Sequence, residues 1–311
     1  MNEIWLTGVA SHQGAIKEKN EDSFLHLMAP DGKGAEIALF VVADGMGGYD
    51  GGEVASRHAI DGINYWWNKR IHKIVRRKDP LQRIIKEGEK LFRQINSSLQ
   101  GLAKKMGKKM GTTLSLLVMY KGSYAVLHIG DSRIYQLRNW MASDSPSHIF
   151  RHYLTEHHDE QKTFILPSDP ELLKLTEDHS WVAQQVEKGL LDEERARIHP
   201  KRHVLTQCLG IGAEVTPYIH EGKYAADDLF LVCSDGFYSL YSDDEIKNML
   251  LNLEKEYGDL QAVSDYLVNF SNFAEAGDNV TLMLVRHDYR HHNETQLDDY
   301  RIFSFFKGRS S

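Results

Sequence analysis

Three aspartates stand where an apolar strand meets small or polar residues, a placement that suits oxygen-ligand metal chemistry. Asp44 follows the run Ile37 to Val42 and precedes Gly45-Met46-Gly47-Gly48. Asp235 follows Leu229-Phe230-Leu231-Val232-Cys233-Ser234, and Asp278 precedes Val280-Thr281-Leu282-Met283-Leu284-Val285. Glu21 and Asp22 form an earlier acidic pair. A carboxylate at a strand end can point into a cleft while the strand fixes its position. Distant segments can assemble a hard-cation site in this way, and oxygen-only donors suit Mg2+ or Mn2+. One aspartate beside a turn is more often a turn or capping residue. The joint occurrence is what carries the metal reading.

The elements that must position these residues follow from periodicity. A strand is expected over 37–42, then a Gly-rich turn, then a helix from Gly52 or Glu53 with Ile60, Ile63, Trp67, Ile71 and Ile74 at helical spacing. Asp79-Pro80 ends it, and a second helix carries Leu81, Ile84, Phe92, Ile95, Leu99 and Leu102. Strands are expected at 113–120, 123–129 and 133–137, with Gly122 and the Gly130-Asp131-Ser132 turn joining them as hairpins. Asp178 is read as the cap of a helix through Lys188, and Asp192 to Arg197 as a short helix. A buried strand covers 228–233, and Ser242-Asp243-Asp244-Glu245 reads as a capping box. A helix over about 260–274 and a strand over 280–285 complete the core. Consecutive strands between helix pairs indicate antiparallel sheets covered by helices, an α+β domain.

A chain of 311 residues with 41% apolar and 26% charged content is that of an ordinary folded protein. No long apolar segment and no signal-peptide pattern at Met1 to Gln13 occurs, so a cytoplasmic location is expected. Cys208 and Cys233 lie in apolar contexts and are expected to be buried thiols with no disulfide partner. Residues 69–109 hold 14 Lys/Arg against 3 Asp/Glu on a chain whose net charge is −7. That is a solvated helical face or a docking surface for an acidic partner; a nucleic-acid reading lacks a recognition motif and an aromatic platform. Residues 139–170 are polar and contain His148, His152, His157 and His158 without a zinc-like spacing, which reads as a loop. The tail is polar until Ile302-Phe303-Ser304-Phe305-Phe306, a cluster expected to pack back on the body.

Taken together, the segments Asn20-Glu21-Asp22-Ser23-Phe24, Asp44-Gly45-Met46-Gly47-Gly48, Gly111-Thr112-Thr113, Gly130-Asp131-Ser132-Arg133, Leu175-Thr176-Glu177-Asp178-His179-Ser180, His199-Pro200-Lys201-Arg202-His203-Val204-Leu205-Thr206, Cys233-Ser234-Asp235-Gly236 and Gly277-Asp278-Asn279-Val280-Thr281 occur in one order. That ordered set resembles the PP2C-like, metal-dependent serine/threonine protein phosphatases in their compact bacterial form. The resemblance covers about residues 7–286. It implies an α-β-β-α four-layer sandwich over 1–286, with an insertion at about 141–170 and a C-terminal extension at 287–311. It implies two core Mn2+ or Mg2+ ions with Asp44 bridging both. Glu21 and the Gly45 carbonyl would serve one ion and Asp235 and Asp278 the other, while Asp131 would help hold a third, weaker ion. Asp22 would orient the attacking water, and Asn279 would steady the Asp278 loop. The implied reaction is hydrolysis of phosphoserine and phosphothreonine in proteins, the products of a serine/threonine kinase, by a water activated between two cations. The alternative is a catalytically weak or inactive phosphoprotein-binding module of the same fold.

Two positions depart from the pattern. Lys17 stands where the family usually has an arginine on the substrate phosphate, so positive charge is kept but the bidentate fork is lost. Met46 stands where animal members carry a histidine acid, and a thioether donates no proton. Residues 182–199 correspond to the flap at the active-site mouth and, with the insertion and basic helices, are expected to set substrate choice.

Overall fold

The computed structural model describes residues 5–47, 51–139, 169–225, 228–274 and 276–287. In chain order the elements are β1 (Trp5–His12), β2 (Asp22–Pro30), β3 (Glu36–Gly47), α1 (Gly51–Ile74), α2 (Pro80–Met106), β4 (Met110–Thr112), β5 (Leu114–Tyr120), β6 (Ser123–Ile129), β7 (Arg133–Arg138), β8 (Glu171–Lys174), α3 (Trp181–Glu187), α4 (Glu193–Ile198), β9 (Tyr218–Lys223), β10 (Leu229–Cys233), α5 (Asp235–Tyr238), α6 (Asp243–Tyr257), α7 (Leu260–Phe273) and β11 (Val280–His287).

Every residue from Ile37 to Ala43 is fully buried, so β3 needs a partner layer on each face. Its alternation supplies two separate cores. Ile37, Leu39, Val41 and Ala43 pack with Ile63, Trp67, Phe92 and Leu99 of α1 and α2. Ala38, Phe40 and Val42 face the other way and pack with Phe230, Val232, Met283 and Val285 of the second sheet. The opposite faces of β10 and β11, with Leu231, Cys233, Leu282 and Leu284, pack under α6 and α7. Four layers result, helices on two antiparallel sheets on helices. One sheet runs β1-β11-β10-β7-β8; the other runs β2-β3-β5-β6-β9, with β4 paired to β3. Among the described residues no helix is long and apolar enough to cross a membrane. Cys208 and Cys233 are buried and unbridged.

Several local expectations are corrected. Gly45-Met46-Gly47 does not form a turn: β3 continues to Gly47, pairing Gly45 with Thr112 and Met46 with Gly111. Gly130-Asp131-Ser132 does not close a hairpin, because β6 and β7 belong to different sheets. With Gly130 at φ 112°, this tripeptide carries the chain from one sheet to the other and leaves Asp131 at their common edge. Asp178 does not cap a helix. Ser180 does so, accepting from the Ala183 N–H, while the Asp178 carboxylate takes Arg133 at 2.7 Å. The edge strands β8 and β9 carry no clear strand signal in the sequence, since Tyr218–Lys223 is half-polar and only partly buried. The capping box holds: the Ser242 N–H donates to Glu245 at 2.7 Å. Residues 140–168 and 288–311 lie outside the described residues, and with them the four expected loop histidines and the aromatic cluster.

A buried polar pair beside this crossing gives a pH prediction. His128 Nε2 donates to the Gly130 carbonyl at 2.9 Å, its Nδ1 meets Ser115 Oγ at 2.7 Å, and the ring stacks on His179 at 5.2 Å. Burial, then the neighbouring His179, pulls His128 down to about 3. The unfolded chain therefore binds a proton that the folded chain refuses. This stability is present above roughly pH 6.5 and is lost as pH falls toward 3, by up to about 1.4 kcal/mol per pH unit. Read as a difference, which cancels the other titrating groups, the urea midpoint of the parent should lose ground to that of His128→Asn from pH 7.5 through 6 to 5. A difference that stays constant with pH would contradict it.

Candidate metal centre

The acidic residues meet where the two sheets end on one side. Asp22 opens β2 and lies directly across from Asp44 in the β2–β3 register. Asp235 opens α5 immediately after β10, and Asp278 lies two residues before β11, its neighbour strand. Ser234 Oγ joins the sheets by donating to Asp22 Oδ2 at 2.8 Å, and the Thr281 N–H donates to Ser234 Oγ at 3.0 Å. Asp22 Oδ1 and Asp235 Oδ1 are buried without a hydrogen-bond partner.

Backbone contacts fix each acid. The Asp44 N–H donates to Thr113 Oγ1 at 2.8 Å, and its carbonyl accepts from the Thr113 N–H at 2.8 Å and Thr112 Oγ1 at 2.9 Å. Thr113 Oγ1 in turn meets Ser132 Oγ at 2.7 Å. The Glu21 N–H donates to Asn279 Oδ1 at 2.8 Å, and its carbonyl accepts from Ser56 Oγ at 2.6 Å. Glu21 Oε1 takes the Gly52 N–H at 3.1 Å, one of the donors that the first turn of α1 leaves free. A Cβ on Gly52 would lie 2.5 Å from Glu21 Oε1 and 2.7 Å from the Gly45 carbonyl oxygen, so that carbonyl and that carboxylate share a cradle only glycine leaves open.

Burial and neighbouring carboxylates raise Asp44, Asp22, Asp131 and Glu21. Burial, and then the charges of Asp22, Asp235, Asp131 and Asp278, hold Asp44 well above the usual carboxylate range. Burial pushes Asp22 up to about 7 against the hydrogen bonds from Thr281 and Ser234, with Asp235 and Asp278 adding to the rise. Asp131 is raised by burial, Asp235 and Asp178, with Arg133 opposing. Glu21 is raised by burial, against the Gly52 N–H and Lys17. Lys17 Nζ reaches Asp278 Oδ1 at 2.8 Å. Among the described residues no three His, Cys, Asp or Glu side chains already close on a point as a finished metal shell. The set is nonetheless what a hard divalent cation needs: oxygen donors only, negative charge in excess, and buried carboxylate oxygens with no hydrogen bond of their own.

Glu21, Asp22, Asp44, Asp131, Asp235 and Asp278 are thus brought to one edge, with the Gly45 carbonyl and Lys17 beside them. Asn279 does more than steady the Asp278 loop: its amide donates to the Gln13 and Lys19 carbonyls at 2.9 and 2.7 Å. Met46 pairs with Gly111 in the strand extension. Residue-by-residue reading assigned no role to His203, whose Nδ1 lies 3.5 Å from Asp235 Oδ2 at a half-exposed position. It also missed Thr113, Ser132, Ser234 and Ser56 as holders. All but Ser56 lie within the ordered segments, which was the available signal. Asp178 and Arg133 form a clamp behind Asp131, with the guanidinium 3.8 Å over the Tyr238 ring. Burial works against ionised Asp178, but Arg133 and then Lys174 hold its pKa below the ordinary value.

The family model for Protein phosphatase 2C matches residues 11–277. The serine/threonine phosphatase stp of Listeria monocytogenes serotype 4b (strain F2365) is 27% identical over 281 residues, which covers 89% of this chain and 93% of that protein. The crystal structure of the Mycobacterium tuberculosis serine/threonine phosphatase PstP/Ppp superposes with a TM-score of 0.68 at 25% identity, covering 91% of this chain and 98% of that one. The catalytic domain of serine/threonine protein phosphatase PstP in complex with two manganese ions shares the fold at a TM-score of 0.66 and 24% identity, covering 92% and 99%. With most of its length matched by the family model and its acidic strand ends gathered at one edge of the shared sandwich, the chain belongs to the protein phosphatase 2C family of metal-dependent serine/threonine phosphatases.

Proposed function

We propose that the chain removes phosphate from phosphoserine and phosphothreonine in proteins, using Mn2+ or Mg2+ held by the acidic edge. The carrying observation is the gathering of carboxylates at one edge, with Asp44, Asp22 and Asp131 raised by burial and by their neighbours' charges while Asp22 Oδ1 and Asp235 Oδ1 stay buried without partners. In this reading Asp44, Glu21, the Gly45 carbonyl, Asp235 and Asp278 would hold two core ions, and Asp131 would help hold a third, weaker one. The two manganese ions of the PstP complex support that count for the core. When bound, such ions lower the pKa of a shared water and offset phosphoryl charge.

The chain's own residues do the rest. Ser234 holds Asp22 Oδ2, which leaves Oδ1 to orient the attacking water. Lys17 offers a point charge to a phosphoryl oxygen, and Met46 has no proton for the leaving group. A thiolate route is closed: burial pushes Cys233 far up and Cys208 up to about 11, and both are buried.

The catalytic domain is 1–286 with an insertion at about 141–170, and 287–311 extends it. The substrates are products of a serine/threonine kinase, and the setting is the cytoplasm, in keeping with the two unbridged thiols. The test is hydrolysis of a phosphothreonine peptide and of para-nitrophenyl phosphate. Turnover is expected with Mn2+, should vanish with chelator and should return when Mn2+ is restored. Hydrolysis indifferent to chelator would overturn the reading.

A further inference from the structure

The loop between β1 and β2 carries Lys17, and it is fastened to the loop before β11 at four points. The Asn279 amide donates to the Gln13 carbonyl at 2.9 Å and the Lys19 carbonyl at 2.7 Å. The Ala15 N–H donates to the Ala276 carbonyl at 3.2 Å, and the Glu21 N–H donates to Asn279 Oδ1 at 2.8 Å. Gly14, at φ 79°, lets the two backbones touch: a Cβ there would sit 2.2 Å from the Asp278 carbonyl oxygen. Between these fasteners Lys17 reaches across, with Nζ 2.8 Å from Asp278 Oδ1. The same oxygen accepts the Asn279 N–H at 2.9 Å. The ion pair is therefore built into the contact of two loops and is not a chance meeting of two free surface side chains.

We propose that Lys17 is a built-in competitor of the metal centre: its ammonium holds the Asp278 carboxylate that a divalent cation also draws on, and so weakens cation binding there. The inference rests on the assignment of Asp278 to the metal centre. The role needs only a fixed positive charge, which the ammonium supplies as a compact charge on one carboxylate oxygen. Both side chains are about 40% exposed, at 40% and 39%, so solvent screens the pair and the competition is moderate. The charges of Glu21 and Asp44 favour the ammonium further, although burial opposes it. Once a cation holds Asp278, the ammonium is released on a pinned loop next to the site, where a phosphoryl oxygen can take it.

The experiment is calorimetric titration of MnCl2 into the metal-stripped full chain, for the parent, Lys17→Met and Lys17→Arg. Lys17→Met should bind Mn2+ about three- to tenfold more tightly. Lys17→Arg, which keeps the charge, should stay within about twofold of the parent. The metal-free Lys17→Met protein should melt below the parent, and its gain in melting temperature on adding MnCl2 should be larger. Lys17→Gln serves as a second neutral variant if Lys17→Met folds poorly. Unchanged or weaker Mn2+ binding in the neutral variants, with the parent still binding, overturns the competition and leaves the metal centre standing. Equal gains in Met and Arg variants also overturn it, since charge would not be the cause. A parent that takes up no Mn2+ brings down both the competition and the metal centre.

Discussion

Asp44→Asn lowers turnover on a phosphothreonine peptide by on the order of a thousandfold, while the metal-free variant folds and melts above the parent. Asparagine keeps the shape of the residue across from Asp22, and the backbone bonds to Thr112 and Thr113 do not involve the carboxylate. What is lost is the shared negative donor, and a loss of that size corresponds to roughly 4 kcal/mol of transition-state stabilisation. The gain in stability has the opposite origin. In the metal-free parent, burial and the charges of Asp22, Asp235, Asp131 and Asp278 hold the Asp44 carboxyl toward its protonated form. A carboxylate whose folded pKa is raised binds its proton more tightly folded than unfolded, so stability falls as pH rises from the unfolded value through the folded one. The neutral variant escapes that fall, and its advantage in melting temperature should shrink on acidification. Each kcal/mol relieved is worth about 2–4 °C in a domain approaching this size. Peptide kinetics with Mn2+ and melting curves at pH 5 and 7.5 check both halves. Near-normal Mn2+-dependent activity in a folded Asp44→Asn protein would remove Asp44 from the centre.

The acidic residues were legible because strand ends beside small residues are a local pattern, and because the apolar run Ile37 to Val42 marks a strand that fixes where Asp44 falls. What holds them was not legible residue by residue. The Glu21 N–H meets Asn279 across 258 positions of sequence, and Ser234 meets Asp22 across 212. No periodicity joins such pairs; only the ordered segments hinted that they belong together. Gly130-Asp131-Ser132 shows a second limit. Its composition says that the chain turns, but not whether the next strand pairs with the last one or leaves for the other sheet. It leaves, and that departure puts Asp131 between the sheets. Asp178 shows a third limit. A helix cap and a buried partner for arginine use the same short carboxylate, and Arg133 decides between them from 45 positions away.

Gly45→Ala should cost more of the fold than any single change at the carboxylates. Its backbone is ordinary strand, paired with Thr112, so conformational freedom is not the reason for glycine. The reason is close approach: a Cβ would lie 2.1 Å from the Gly52 carbonyl oxygen and 2.5 Å from the Glu21 carbonyl oxygen. Both obstacles are backbone, one in the first turn of α1 and one at the start of β2, and neither can rotate aside. β3 would have to part from one of them, which costs about 3 kcal/mol or more for an overpacked site that cannot relax. Gly52→Ala is the informative contrast. Its nearest obstacle is Glu21 Oε1 at 2.5 Å, the free end of a side chain, with the Gly45 carbonyl oxygen at 2.7 Å. The carboxylate can swing away and the carbonyl cannot, so Gly52→Ala meets one backbone obstacle where Gly45→Ala meets two. Urea denaturation should therefore rank the parent, Gly52→Ala and Gly45→Ala in falling stability. MnCl2 titration should show weaker cation binding in Gly52→Ala, since Glu21 has left the Gly45 carbonyl. If Gly45→Ala proves as stable as the parent, the close packing of β2, β3 and α1 around the centre is wrong, and with it the physical basis for placing Glu21 and the Gly45 carbonyl on one ion.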